Sequence, residues 1–578
     1  MTLKKINAIL FGLALAGTVT PQGAAAQAYQ ELDINSITAG AQASGALFTN
    51  PTTVAPAFEV MDGSGIHTFF GSELWFAGQD VNGQLKFAKT DYDLLESMSY
   101  GPIASDYSGH ARFNRIWKVN RTQIDSFIDV FNGTITDPSY FVPAVILDWP
   151  AHGDTALGQS FYLAPFVDVD GDGVYNPASA GDYPEIKGDQ ALFWIMNDMH
   201  TPGVNNARIG LEVHCMLYGL DCTTGSAMDN TVFGTFKFIN RGTQTLFDTH
   251  IGVWSDLDVG SPTDDRMQSD VERGSYFAYS PASGNYPSMA QSVTFLGGPL
   301  LDPNMLDDSL SFSISSSVHS VGYSDGIVDN ERSGMASFLS LQQVGTGSPW
   351  QQTPTTFVDH YQYMQGKWLD GSDLFYGGTG HTSDPNTNIN QPAKYMLPAS
   401  SDPQGYGTGG NGMASWSEET EGWVSGDRRA VGSTETFTFG PGAEQTLDLA
   451  YVFASSTEVG TSDDAIATLK SNIDYVRNMY ASCVCACELP TAIGNVAAKQ
   501  DFTVEIYPNP ASHQLHISIP SMNREVNVTV FDATGRILTN ALINQSETDL
   551  SVVDYPAGIY LIEFRTGERR QLKQLVVQ

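Results

Sequence analysis

Short apolar runs broken by glycine, proline, asparagine and aspartate recur along this chain. Thr68-Phe69-Phe70, Leu74-Trp75-Phe76, Thr235-Phe236-Lys237-Phe238-Ile239, Ser311-Phe312-Ser313-Ile314 and Leu447-Asp448-Leu449-Ala450-Tyr451-Val452-Phe453 are aromatic or β-branched. Side chains on a strand point alternately to its two faces, so such runs predict short strands. The 56 glycines and 28 prolines fit frequent turns rather than helical bundles. Helical spacing is confined to two places. Arg121 to Ile128 predicts one short helix, and Ser462-Asp463-Asp464 caps a longer one through Ile466, Leu469, Ile473, Val476 and Met479. The fold class that follows is all-β dominated, with one or two large β-sandwich domains. Residues 370–417, rich in Gly, Ser, Asn and Pro, read as long loops decorating the sheets.

Both ends carry processing signals. Lys4 and Lys5 precede an apolar run from Ile6 to Val19, and Ala24-Ala25-Ala26 supplies an A-x-A cleavage pattern, so residues 1–26 read as a signal peptide. No later run reaches membrane-spanning length, so no transmembrane segment is expected in the mature chain. At the other end stand Tyr507-Pro508-Asn509-Pro510, the alternating run Val526-Asn527-Val528-Thr529-Val530-Phe531, the turn Asp532-Ala533-Thr534-Gly535-Arg536, and Ala557-Gly558-Ile559-Tyr560-Leu561-Ile562. This tail resembles the C-terminal sorting domain (type A) of type IX secretion substrates in Bacteroidota. The resemblance implies a small immunoglobulin-like β-sandwich over 504–578, recognition by the type IX secretion machinery, and a destination outside the cell or on the outer-membrane surface, reached through the periplasm.

The remainder divides into a β-rich acidic body over 27–290, a second β-rich segment over 291–487 that ends in the longer helix, and a linker over 488–503. The boundary near Ala290 rests on a strand-rich segment restarting after an acidic loop. Net charge is −36, and nearly all of it lies between Gln27 and Gln500. Such a surface repels nucleic acid and anionic lipid and favours cations, basic partners or plain solubility. Five cysteines are few for an exported chain. Cys215 and Cys222 could bridge a hairpin. Cys483, Cys485 and Cys487 form a C-x-C-x-C cluster at the end of the body, read as a boundary disulfide with a leftover thiol.

The strongest chemical signal is Asp168-Val169-Asp170-Gly171-Asp172-Gly173-Val174-Tyr175-Asn176. Carboxylates at positions 1, 3 and 5 converge on one cation when a glycine at position 6 lets the chain turn, and the position-7 carbonyl of Val174 points inward. Hard oxygen ligands suit calcium. Position 12 is Ser179 rather than a bidentate Glu, and Pro177 opposes an exiting helix, so the loop resembles the DxDGDG type of dockerin-like and thrombospondin-like repeats. Asp182 is the nearest candidate for the missing ligand, followed by Glu185 or Asp189. The bland alternative is an Asp/Gly-rich turn without an ion.

A second, looser acidic cluster follows the apolar strand Ile251-Gly252-Val253-Trp254. It comprises Asp256 and Asp258, then Asp264, Asp265, Asp270 and Glu272, and reads as either a second cation site or a solvated loop. The body is also similar to a family of large exported Bacteroidota proteins ending in the same tail, through Ser72-Glu73-Leu74-Trp75-Phe76-Ala77-Gly78, Trp149-Pro150-Ala151-His152-Gly153, Gly181-Asp182-Tyr183-Pro184-Glu185 and Ser425-Gly426-Asp427-Arg428-Arg429. That similarity implies no reaction. No H-E-x-x-H, G-x-S-x-G or Walker A motif is present. His152 with Asp154, His67, His200 and His250 are candidate polar sites, but lone histidines beside aromatic residues commonly serve packing. The reading is a calcium-stabilised, non-enzymatic β-sandwich protein of binding, adhesive or structural role, with a glycan or surface molecule as ligand. The alternative is a secreted hydrolase acting on glycan or peptide through loop carboxylates, which leave no fixed sequence spacing.

Overall fold

The computed structural model describes residues 28–91, 97–107, 110–199, 207–281, 287–309, 321–342, 348–456, 461–481 and most of 504–577. The expected signal peptide over 1–26, Ser311–Ile314 and the cysteines at 483, 485 and 487 lie outside the described residues. The chain divides into two compact units, 1–487 and 488–578.

In the first unit a nine-stranded antiparallel sheet runs in the order Trp117–Asn120, Gln190–Asn197, Leu211–Gly219, Thr231–Asn240, Glu444–Ser455, Met289–Gly297, Ser275–Ser280, Arg266–Asp270, with Ser99–Tyr100 added beside Gln190–Asn197. A six-stranded sheet runs Ser337–Gln342, Arg428–Ser433, Leu246–Leu257, Gly71–Gln79, Leu85–Lys89, with Phe437–Phe439 paired to Leu246–Leu257. The two sheets face each other. Phe76 of the smaller sheet stacks on Phe238 of the larger at 5.3 Å, and Tyr276 on Phe338 at 5.2 Å. Tyr276 also donates its hydroxyl to the carbonyl of Val253 across the interface at 3.0 Å.

Several strands are buried at every position rather than at alternate ones, including Leu211–Gly219 and Met289–Gly297. A strand is buried at every position only when both faces are covered. Part of the outer cover is the helix Ser462–Ala481, which turns Ala465, Leu469, Ile473, Val476 and Met479 inward. The shorter helix runs Arg121–Phe131 from an Asn120–Gln123 capping box.

Three expectations need correction. Met289–Gly297 is hydrogen-bonded to Ser275–Ser280 on one side and Glu444–Ser455 on the other. No domain boundary falls near Ala290, because that position sits inside the central sheet. Thr68–Phe70 forms no strand but links Ile66–His67 to Gly71–Gln79. Residues 370–417 do more than decorate: Leu374, Tyr395, Met396, Leu397 and Trp416 lie in the main core. Local composition read these as loop because the apolar residues are spaced singly among turn residues.

In the second unit Glu505–Tyr507, Gln514–Ser518 and Glu547–Ser551 form one sheet, and Ile537–Ile543, Val526–Phe531, Gly558–Thr566 and Arg569–Val577 form another. Leu515, Ile517, Val528, Val530, Ile562, Phe564 and Leu575 bury a separate core. Among the described residues no helix is long and apolar enough to cross a membrane.

Candidate metal centre and adjoining cleft

The acidic loop leaves the short strand Phe166–Val167 and returns through Tyr183–Pro184, which pairs with it. Gly171 and Gly173 both sit at φ 77, in the left-handed region that makes the tight turn. Asp168 accepts the N–H of Gly171 on Oδ1 at 2.8 Å and that of Gly173 on Oδ2 at 2.7 Å. Pro177 begins a helical turn over Pro177–Ala180 instead of preventing one, since at the first helical position its missing N–H has no intrahelical partner to lose. That turn, closed by Gly181 at φ 87, swings Asp182 back into the loop.

Asp182 is wholly buried. Its Oδ1 accepts from Val169 N–H at 2.9 Å and its Oδ2 from Asn176 N–H at 2.8 Å. One carboxylate oxygen each from Asp168, Asp170 and Asp182 lie within 4.8 Å of one another. Asp172 stands apart from this group, its Oδ1 accepting Val174 N–H at 2.7 Å and its Oδ2 taking Asn176 Nδ2 at 3.3 Å. Glu185 and Asp189 do not join it, and Asp189 accepts Asp221 N–H at 2.9 Å. The Gly173 N–H, more than any other group, holds Asp168 below the ordinary carboxylate range. Asp170 is raised, first by desolvation and then by the charges of Asp172, Asp182 and Asp168.

A cleft of about 610 Å³ opens beside the loop, lined by Tyr162, Phe166, Asp168, Glu185, Phe193 and Lys237 among others. Its walls are mainly apolar, and Tyr162 is 60% exposed. Tyr162 stacks on Phe166 at 6.5 Å. His152 stacks on Phe161 at 4.2 Å. Its Nε2 accepts Tyr175 N–H at 2.8 Å, and its Nδ1 faces the carbonyl of Phe161 at 3.1 Å. A backbone N–H only donates and a carbonyl only accepts, so these two contacts are met by the tautomer with its proton on Nδ1. His152 braces the loop and has no free nitrogen for acid–base work. Asp154 caps the turn Thr155–Leu157 through Ala156 N–H. His250 is buried against the carbonyl of Thr434 at 2.8 Å, and burial lowers its pKa. His200 lies outside the described residues.

The second cluster is rebuilt by the fold. Asp256 and Asp258 come together with Asp427, one oxygen of each lying within 4.8 Å of the others. Asp427 was not placed in this cluster by the sequence because its neighbours are distant along the chain; the signal present was a Gly-Asp pair directly before the strand Arg428–Ser433. Asp265 is wholly buried and accepts Val259 N–H on Oδ1 at 3.2 Å. Burial pushes Asp256 up to about 7 and Asp258 up to about 6. Asp264 instead lines a separate cleft of about 560 Å³ with Arg266 and Lys470. Asp270 and Glu272 belong to an ion pair with Arg273, at 3.2 and 3.4 Å.

The hairpin disulfide does not form. Cys215 is a free, buried thiol in Leu211–Gly219, whereas Cys222 is disulfide-bonded. On a regular strand Cys215 is held in the ladder opposite Phe236 and Trp194, out of reach of a residue beyond the strand end.

Comparison with known proteins is informative at one end of the chain. No curated protein matches. Among the solved structures that align, two illustrate how weak the likeness is. A polysaccharide lyase is 8% identical, with 73% of this chain and 37% of that chain covered at a TM-score of 0.18. An α-galactosidase of Geobacillus stearothermophilus in complex with raffinose is 10% identical, with 74% and 41% covered at a TM-score of 0.24. The chain thus spans less than half the length of either, and neither likeness bears on its fold or activity. Residues 505–578 match the secretion system C-terminal sorting domain, which makes this a protein exported to the cell surface or beyond by the type IX route.

Proposed function

We propose that this is an exported binding protein whose acidic β-sandwich holds calcium in the Asp168–Asp182 loop and presents the adjoining cleft to a glycan or other surface ligand. The observation that carries this reading is the convergence of Asp168, Asp170 and Asp182, of which Asp168 lines that cleft. Oxygen-only donors suit calcium; Asp172 would have to turn from its hydrogen bonds to Val174 and Asn176 to complete the shell with the Val174 carbonyl. Calcium there would replace hydrogen bonds that the carboxylates otherwise make to their own loop, stiffening one wall. Tyr162 offers an exposed ring of the kind on which a sugar face stacks, and Lys187 and Lys237 also line the cleft. The tail engages the type IX machinery, which in a Bacteroidota cell carries a folded body from the periplasm to the outer-membrane surface or the medium.

The hydrolase reading is less well supported. Asp168 lines the cleft but is held ionised by two backbone N–H groups, which suits a ligand and not a general acid. A glycan array with the purified protein tests the binding reading: retained glycans should be lost in EGTA and in Tyr162→Ala. Turnover of a polysaccharide or peptide panel, abolished by one Asp→Asn change, would replace it with the hydrolase.

A further inference from the structure

We propose that Asp256, Asp258 and Asp427, whose oxygens converge, form a second, buried calcium site, with Asp265 of the facing sheet packed beside them. The residues come from three separate segments. Asp256 and Asp258 lie at the end of Leu246–Leu257 in the six-stranded sheet, Asp427 immediately precedes Arg428–Ser433 in the same sheet, and Asp265 immediately precedes Arg266–Asp270 at the edge of the nine-stranded sheet. Backbone contacts hold them in place: Gly426 N–H donates to the carbonyl of Asp265 at 3.0 Å, and Val259 N–H to Asp265 Oδ1 at 3.2 Å.

Hydrogen bonding within the protein leaves this cluster incomplete. Asp256 is 3% exposed and Asp265 0%. Oδ1 of Asp256, Oδ2 of Asp265 and Oδ1 of Asp427 are buried with no hydrogen-bond partner. Buried carboxylate oxygens without donors are costly and are normally paired or bound to a metal. Among the described residues, the guanidinium that faces the group is that of Arg429, which takes Asp256 Oδ2 at 3.0 Å and approaches Asp427 Oδ1 at 3.5 Å. Its neighbour Arg428 is engaged by Glu418 at 3.2 Å and by the carbonyl of Val424 at 2.6 Å. Four carboxylates against one positive charge leave an excess that a divalent cation would offset. The oxygen-only donor set selects calcium over zinc.

The site does not depend on the Asp168 loop, so the two can be counted apart. Calcium per chain is measured by elemental analysis after equilibration with calcium chloride and gel filtration, on the full mature protein and two variants. Two ions are expected in the wild type, one in Asp170→Asn and one in Asp427→Asn. Retention of both ions by Asp427→Asn overturns the second site, as does loss of all calcium in Asp170→Asn. Where Asp427→Asn does not fold, the melting temperature of Asp170→Asn with calcium and with EGTA decides. A rise with calcium supports the buried site, and no rise overturns it. A wild type with a single ion that Asp170→Asn removes would leave the loop reading intact and end this one.

Discussion

Arg429 donates from Nε to Oδ2 of Asp256 at 3.1 Å, directly across the ladder between Leu246–Leu257 and Arg428–Ser433, and leaves Oδ1 of the same carboxylate buried without a partner. Removing one partner of a buried pair strands the other charge and costs about 3–5 kcal/mol. Arg429→Met should lower unfolding free energy by that order in EGTA. Calcium should restore part of the loss, since it offsets the same carboxylate. Urea titrations of both proteins, with and without calcium, check this.

Asp182 acts as the internal strut of the acidic loop. Both of its oxygens accept loop N–H groups. An asparagine keeps one acceptor and turns a donor toward the other N–H. Leaving a buried donor unsatisfied costs about 1–3 kcal/mol. Asp182→Asn is therefore expected to loosen residues 168–182, read as faster hydrogen exchange and proteolysis there while the strands of the central sheet keep their protection.

His360 lies against Trp75 and Phe87, at ring distances of 4.5 and 4.9 Å, with Nδ1 2.7 Å from the carbonyl of Thr356. Burial is the main cause of a pKa lowered to about 4, with Lys89 reinforcing it and Asp359 opposing it. The unfolded imidazole titrates near 6.5. Between these values the unfolded chain binds a proton that the folded chain does not. Stability is therefore full above about pH 6.5 and falls as pH drops toward 4, by about 3 kcal/mol at the lower end. His360→Gln should flatten that part of the stability profile, measured by urea unfolding at several pH values.

The pattern of the chain carried the β-rich class and the longer helix, because turn residues and helical spacing are local properties. The register that sets Asp256 opposite Arg429 is not local. It arises only when strands far apart in sequence pair, so Asp427 stood in the sequence only as part of the run Ser425-Gly426-Asp427-Arg428-Arg429. Pro177 misled for a related reason. A proline forbids a helix interior but suits its first position, and which applies depends on where Asn176 caps the turn. Cys215 and Cys222 are close in sequence, yet Cys215 is fixed within a strand and lies in the buried core. Asp168, Asp170 and Asp182 could be anticipated because a short glycine-rich loop must bring its own carboxylates together.

The tail has its own buried core, distinct from that of the body. Deleting residues 504–578 is expected to leave the melting temperature of the body unchanged and to abolish its appearance at the cell surface. Calorimetry of the truncated protein, with fractionation of cells producing it, checks both halves.

Cys215 is wholly buried, and burial pushes its thiol well above the usual range. The native protein should not react at Cys215 with a thiol reagent such as iodoacetamide, and should do so once unfolded in urea, as read by mass spectrometry of the labelled peptide.

The most direct test of a calcium-supported body is scanning calorimetry of the mature protein in calcium chloride and in EGTA, paired with elemental analysis of the calcium-equilibrated sample. Bound calcium and a melting temperature that falls in EGTA are the predicted result. No bound calcium and identical melting temperatures would contradict the account.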